Sequence, residues 1–407
     1  MQVLDKSAKD LPAMIYDVII IGAGAAGLMS AVSALSRGKT VLILESNDKP
    51  GLKILISGGG RCNFTNLYAS PEAYVSGNPH FCKSALKQFT QHDFISLVEE
   101  DGIAYYEKTL GQLFCEHSSK EILDLLLRRI RKLGGTLKTK VHLHKVEKEK
   151  KNIFYAHAEN ESYRAKNIIV ACGGLSFPQL GATDFGYKLA KHFGHSITKL
   201  DPALDGFVFA EKEKKYFSSL SGISLETRVS CNSKHFEENI LFTHIGISGP
   251  SILKASLYWH KGDEVCIDFL PKIKNLREYL DEKRKSHPKK MVFSLFSQDL
   301  PDRFLEKLFA YGKVKNKILT ELTKQDMQLL ETLLKTFRFT PKSCIGYKKA
   351  EITRGGVDTK DISSQTMESR LVPGLYFVGE VVDVSGLLGG YNFQWAWSSG
   401  WVAGKNV

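Results

Sequence analysis

The sequence predicts an α/β fold built on a dinucleotide-binding strand–helix–strand unit, with an antiparallel β unit and a small helical unit inserted into it. Three observations lead there. A short, β-branched apolar run at residues 16–21, YDVIII, passes directly into Gly22-Ala-Gly24-Ala-Ala-Gly27 and then into residues at helical spacing. Glycine-rich α/β texture returns after residue 343, so both ends of the chain feed one domain. Between them the texture changes twice, first to short alternating segments and then to charged helical ones. The expected division is a discontinuous domain of residues 14–196 plus 343–407, a β insertion at 197–275 and a helical insertion at 276–342.

Taken in order, YDVIII has the continuous apolar character of a strand buried on both faces. LMSAVSALSR carries small and apolar residues at helical spacing, and Gly38 stops it. KTVLIL is the second strand, and its crossover from the first is expected to be right-handed. A helix is expected near 82–99 and an amphipathic one near 119–133, then strands within 136–170, the last running through Asn167-Ile-Ile-Val-Ala171 into Cys172-Gly173-Gly174. FVFAE, ETRVSC and EVCIDFL alternate as antiparallel strands do. LREYLDEKRKSHPKK, DRFLEKLFAYGK and TKQDMQLLETLLKTF read as helices, and LYFVGE leads to a last strand and helix. No internal repeat or low-complexity tract interrupts the chain.

Composition narrows the class. The chain has 407 residues, 43% of them hydrophobic and 25% charged, which is globular composition. Its seven cysteines contain no CxxC pair and read as reduced thiols, not as a disulfide framework or a zinc site. No metal site is expected. The first residues, MQVLDKSAKDLPAM, have no apolar signal region, and no stretch approaches the ~20 apolar residues of a membrane span. A cytoplasmic protein without a membrane partner is expected. A net charge of +12 adds a question, because excess positive charge attracts polyanions.

The glycine turn carries the first chemistry. Gly22 permits the tight turn, Gly24 lets the backbone approach a pyrophosphate, and Gly27 lets helix and strand pack closely. Glu45 ends the second strand, where a carboxylate accepts hydrogen bonds from an adenosine ribose. Only one such fingerprint occurs. The choice of FAD comes from the far end of the chain: Gly379-Glu380-Val-Val-Asp383 is an acidic turn after a buried strand, and Gly389-Gly390-Tyr391-Asn392 opens the last helix. In flavoproteins of the two-dinucleotide-binding type such a helix dipole faces the flavin pyrimidine and stabilises charge developing at N1 and C2=O. Between these ends, Ser57-Gly58-Gly59-Gly60-Arg61-Cys62-Asn63, preceded by Lys53, forms a backbone nest flanked by hydrogen-bonding side chains. The expected cofactor-binding set also includes Ala25, Ala26, Ser46, Val141, Cys172, Gly173 and Gly174.

The segments GAGAAG, KILISGGGRCNFTN, ACGGLSFPQLGATDFGY, FTHIGISGP, EITRGGVD, TMESRLVPGLYFVGE and GLLGGYNFQWAWSSG, spread over residues 16–404, resemble the BaiN/YhiN-type flavoprotein family. That resemblance implies FAD, a three-part architecture and oxidoreductase activity. Members are assigned to bile-acid alkene reduction, aminoacetone oxidation and, in a proteobacterial branch, dihydrouridine formation in large-subunit ribosomal RNA. The stretches YASPEAYVSGNPHFCKSALKQFTQHDFI and YEKTLGQLFCEHSSKEI are most similar to that last branch.

An RNA substrate asks for a phosphate grip. Candidate clusters are Lys283-Arg284-Lys285 with Lys289-Lys290, then Lys313, Lys315 and Lys317, and a further group of Arg338, Lys342, Lys348, Lys349 and Arg354. Singly, each reads better as a solvated face; together with +12 they favour ribosomal RNA. Uridine reduction also needs a proton donor, for which His244 and Cys115 are the candidates ahead of Cys62 and His117. Trp395, Trp397 and Trp401 read as packing residues of the last helix. NAD(P)H, if it is the reductant, has no fingerprint of its own and would bind transiently. The alternatives are a small-molecule flavin reductase or oxidase and a non-catalytic FAD-bearing RNA-binding protein. Oligomeric state is left open.

Overall fold

The computed structural model describes residues 14–149 and 152–407, so the N-terminal reading made on residues 1–13 lies outside the described residues. The chain divides into two compact units, one comprising the residues up to Asp201 with Ile352–Val407, the other Pro202–Glu351.

The first unit is a mixed α/β Rossmann-like body. Strand β1 (Ile15–Ile21) leads through the glycine turn to helix α1 (Ala25–Leu35) and strand β2 (Val41–Leu44). Then come β3 (Thr136–Lys138), β4 (Leu143–Lys148), β5 (Phe154–Ala158), β6 (Ser162–Val170), β7 (Leu375–Phe377) and the C-terminal helix α2 (Tyr391–Asn406). Strands β3, β2, β1 and β6 lie side by side and parallel, with Val18 opposite both Val41 and Asn167. The nine-residue β6 takes two further partners, β5 antiparallel along its first half and β7 parallel along its last three residues. Ile19, Ile20, Leu42, Ile43, Ile168 and Ile169 are fully buried, as a strand covered on both faces requires. Asp17 ties β1 to both neighbouring strands: it accepts from Thr40 N–H (2.9 Å) and hydroxyl (2.8 Å) and from Lys166 Nζ (2.9 Å). Those contacts, the Thr40 amide first, hold its carboxyl down to about 2.

The long helix expected near 82–99 is two helices, Cys82–Gln88 and Gln91–Glu100. Thr90 leaves the helical conformation, and its side chain and Asp93 cap each other's backbone N–H, which starts a new helix where the periodicity alone runs on.

The second unit is a seven-stranded antiparallel sheet in the order Phe337–Phe339, Val265–Asp268, Ser224–Cys231, Lys234–Phe242, Gly246–Ser248, Phe207–Val208, Ser343–Cys344, with helices against it. The boundary expected at 275/276 falls between layers that share one core, in which Phe242 of the sheet meets Phe217 and, on the helix Asp302–Gly312, Phe304. Among the described residues no helix is long and apolar enough to cross a membrane.

Candidate flavin site

In the first unit the three glycines of the turn have three different surroundings. A Cβ on Gly22 (φ +104°) would lie 2.5 Å from the Ala171 carbonyl oxygen, and one on Gly27 only 1.9 Å from that of Gly22. A Cβ on Gly24 would meet nothing within 4 Å. Gly24 therefore borders open space at the start of α1, and no side chain caps that helix. The backbone N–H groups of its first turn, at Ala25 and Ala26, are left to an anion. Glu45, 8% exposed, accepts from Ala23 N–H (2.8 Å) through Oε2 and from Asn47 N–H (2.8 Å) and Nδ2 (2.9 Å) through Oε1. Oε2 keeps a lone pair for one further donor such as a ribose hydroxyl. Ser46 Oγ lies 3.4 Å from Glu45 Oε1, and Val141 N–H donates to the Glu45 carbonyl (2.9 Å), so both border the same turn.

The Ser57–Cys62 loop is held by backbone bonds. Gly60 and Cys62 N–H donate to the Ser57 carbonyl (3.0 Å each), Ser119 N–H to Gly60 (2.7 Å) and Cys115 N–H to Arg61 (2.9 Å). Gly58, Gly59, Gly60 and Cys62 all have positive φ, and a Cβ on Gly59 or Gly60 would meet nothing. That is a nest opening on free space. Lys53 Nζ pairs with Glu380 Oε2 at 2.7 Å, and Glu380 Oε1 accepts from Thr353 N–H (2.9 Å). A Cβ on Gly174 would fall 2.5 Å from Glu380 Oε1, whereas Gly173 faces open space. Cys172 sits beneath this group, its thiol raised to about 12 by burial. Gly379 has φ +71°, and Asp383, 6% exposed, accepts from Gly77 N–H at 3.0 Å. Burial raises the Asp383 carboxyl above its ordinary value.

The third anchor is the start of α2. Gly389 and Gly390 have φ +118° and +96°, and a Cβ on Gly390 would lie 2.3 Å from the Thr65 carbonyl oxygen. No side chain caps this helix either. Tyr391 is fixed through its carbonyl, which accepts from Tyr74 OH at 2.8 Å. Asn392 closes the preceding loop on itself, accepting from Gly386 N–H (2.8 Å) and donating to its carbonyl (2.9 Å). Helices α1 and α2 pack along small residues: a Cβ on Gly400 would be 2.4 Å from the Ala26 carbonyl oxygen and one on Gly404 2.3 Å from that of Ser30. Ala26 opposite Gly400 makes the helices parallel, with α2 starting about eight residues earlier, roughly 12 Å at 1.5 Å per residue. The two uncapped helix starts are offset by that amount along their axes, and their free N–H groups could each face a negatively charged part of a dinucleotide cofactor.

Two residues that the sequence reading passed over hold this frame. Asn66, 1% exposed, donates through Nδ2 to the carbonyls of Gly389 (2.8 Å) and Leu110 (3.1 Å). Gln394 bonds Thr65 Oγ1 (2.7 Å) and the Phe89 carbonyl (3.2 Å) inside the core. Buried amides in otherwise apolar strands and helices are the only sequence signal for them.

The proposed proton donors separate. Cys115 is fully buried on the strand Gln112–Cys115, and burial raises its thiol to about 12, so it lacks the exposure and acidity of a donor. Cys62 is equally buried, with its thiol pushed up for the same reason. His117 is exposed beside them. His244 belongs to the second unit, exposed in the turn before Gly246–Ser248. Trp395 and Trp397 are packing residues, donating through Nε1 to Gly379 (3.0 Å) and Phe64 (2.8 Å).

Of the basic clusters, Arg284 is spent on the carbonyls of Leu319 and Leu322, and Lys317 on Asp326 at 2.7 Å. Arg338 and Arg354 pair with Glu264 (3.5 Å) and Asp201 (3.0 Å). The antiparallel Met291–Ile318 bridge sets Lys290 against Leu319 and Val292 against Lys317, and Lys285, Lys289, Lys313 and Lys315 are exposed. No group of three or more His, Cys, Asp or Glu among the described residues could hold a metal ion.

Residues 16–406 match the family model described as the HI0933-like protein Rossmann domain. Over 393 residues the chain is 45% identical to a ribosomal RNA dihydrouridine synthase of Escherichia coli, covering 96% of this chain and 98% of that one. The protein of the same name in Haemophilus influenzae is 44% identical with the same coverage. A 3-dehydro-bile acid delta(4,6)-reductase of Clostridium scindens is 31% identical, covering 95% of this chain and 97% of the other.

Proposed function

We propose, for a chain that belongs to the HI0933-like family and is a flavin-dependent oxidoreductase, that its reaction is the reduction of a uridine C5=C6 bond in large-subunit ribosomal RNA to dihydrouridine. The observation that carries this is 45% identity running nearly end to end on both chains with the E. coli synthase. FAD is the cofactor in this reading. The N–H groups at the start of α1 would hold its pyrophosphate and Glu45 its adenosine ribose. The nest at Ser57–Asn63, the Lys53–Glu380 pair with Asp383, and the start of α2 would hold the ribityl chain and ring. Reduced flavin supplies the hydride that C6 of the uracil receives. The helix dipole at Gly390 favours the negative charge that reduction brings. A proton for C5 must come from a group that exchanges with water; His244 meets that condition and Cys115 does not. With a single dinucleotide fingerprint in the chain, a nicotinamide reductant would have to bind transiently beside the flavin. The reaction belongs in the cytoplasm, with the RNA.

The bile-acid reductase relative supports a second reading, alkene reduction in a small enone, because hydride and proton delivery to a polarised C=C is common to both. One experiment separates them. The purified FAD-bound protein is given NAD(P)H and either ribosomal RNA or a steroid enone. Dihydrouridine in the RNA digest with the enone untouched is expected; the reverse outcome refutes the RNA reading.

A further inference from the structure

Beside the glycine start of α2 lies an exposed aromatic and apolar lip that none of the cofactor contacts uses. Tyr68 is 65% exposed and Leu110 54% exposed, two of the most exposed large hydrophobic residues described. Both are held out by the backbone. Tyr68 N–H donates to Asn66 Oδ1 (2.9 Å), Leu67 N–H to the Gly111 carbonyl (2.8 Å), and Leu110 stands at φ +50°. The Tyr68 ring is seated over Gly111, where a Cβ would lie 2.7 Å from the ring. The same Asn66 amide that receives Tyr68 also grips the carbonyls of Leu110 and Gly389, so one buried side chain fixes the lip to the start of α2. Lys108, two residues from Leu110, flanks the lip; it is exposed, lies over the Phe114 ring (5.4 Å) and forms no ion pair with a described carboxylate. The carboxylate of Glu107 is turned to Gly111 N–H (2.9 Å).

We propose that Tyr68 and Leu110 form a stacking platform for an unpaired nucleotide next to the uridine being reduced, with Lys108 holding its phosphate. The inference rests on the ribosomal RNA reading above. An exposed ring held by its backbone, with an unpaired cation beside it, suits a single-stranded polyanion carrying flat bases; a base stacks without sequence preference while the cation follows the backbone. A neutral enone would make no use of the lysine. Asn66 is a positioning residue here, acting through Tyr68 and Gly389.

The test uses the FAD-bound full chain with large-subunit ribosomal RNA, comparing wild type with Tyr68→Ala, Tyr68→Phe and Lys108→Ala. Flavin content, thermal midpoint and the rate of flavin bleaching by NAD(P)H are read beside kcat and KM for dihydrouridine formation. Tyr68→Ala is expected to raise KM for RNA by about tenfold, the scale of one lost stacking contact, while bleaching stays at the wild-type rate. Tyr68→Phe should restore KM. Lys108→Ala should weaken RNA binding and lower its salt dependence by about one phosphate contact. If wild type forms dihydrouridine and both alanine variants keep wild-type KM, the platform is refuted and the RNA reading stands. If wild type forms none, both fall. Should Tyr68→Ala lose its fold, Lys108→Ala decides on its own.

Discussion

At the scale of single residues, the glycines make opposite demands that a substitution can separate. A methyl on Gly27 has no room against the Gly22 carbonyl, whereas one on Gly24 touches nothing. Gly27→Ala is therefore expected to lower the thermal midpoint of the flavin-free protein. Gly24→Ala should change its stability by about 1 kcal/mol or less, yet weaken FAD binding at least tenfold, because the methyl enters the space a pyrophosphate needs. Equal stability losses in the two variants would contradict the assigned roles. His195 supplies a pH dependence. It is 4% exposed, its Nδ1 3.1 Å from the Ala190 carbonyl and its Nε2 2.7 Å from Ser369 Oγ. Nδ1–H donates and Nε2 accepts, which suits the neutral ring, and burial lowers its pKa below the ordinary 6.5. The stabilisation is complete above about 6.5 and is lost as pH falls through the lower folded-state value. Unfolding midpoints measured downward from pH 7 should fall more steeply in wild type than in His195→Gln. The tight turn at Gly22 and the close packing at Gly27 were legible in the sequence because strand, turn and helix are contiguous there. Asn66 was not, because its partners Leu110 and Gly389 are far along the chain and meet it only in the fold.

Elements explain what a window of sequence cannot. The α1–α2 contact depends on Gly400 and Gly404 meeting Ala26 and Ser30, residues from opposite ends of the chain. Periodicity identifies two helices but not their stagger, and the stagger sets the distance between the two helix starts. Gly400→Val should spread the pair, at a cost of about 1–3 kcal/mol from overpacking, and flavin content should fall with it. Full flavin occupancy in that variant would detach the cofactor from this helix pair. The single helix expected over 82–99 failed for a local reason: the Thr90–Asp93 capping box outweighs a continuous apolar pattern. The same device opens the helix Lys324–Leu334, where Thr323 and Asp326 cap each other and Lys317 holds the Asp326 carboxyl down to about 2. Thr323→Ala should cost about 1 kcal/mol, and that cap should weaken as pH falls from the ordinary carboxylate value of 3.8 toward 2.

For the whole molecule, the Rossmann-like fold with an antiparallel insert was legible because its motifs are long and flank the insert. The partition of the insertion was not, since aromatic contacts such as Phe242 with Phe304 join sheet to helices in one core and composition cannot reveal a shared interior. The charge of +12 belongs to this scale as well. Ion pairs match cations with carboxylates and leave that excess intact, and exposed lysines such as Lys289 and Lys315 are available to a phosphate backbone. Dihydrouridine in ribosomal RNA, measured by mass spectrometry in a strain lacking this protein, tests the central claim most directly. Loss of the modified base, regained with the wild-type gene but not with a Gly58/Gly59/Gly60 variant that cannot hold flavin, is the predicted result. Unchanged dihydrouridine in the deletion strain would contradict it.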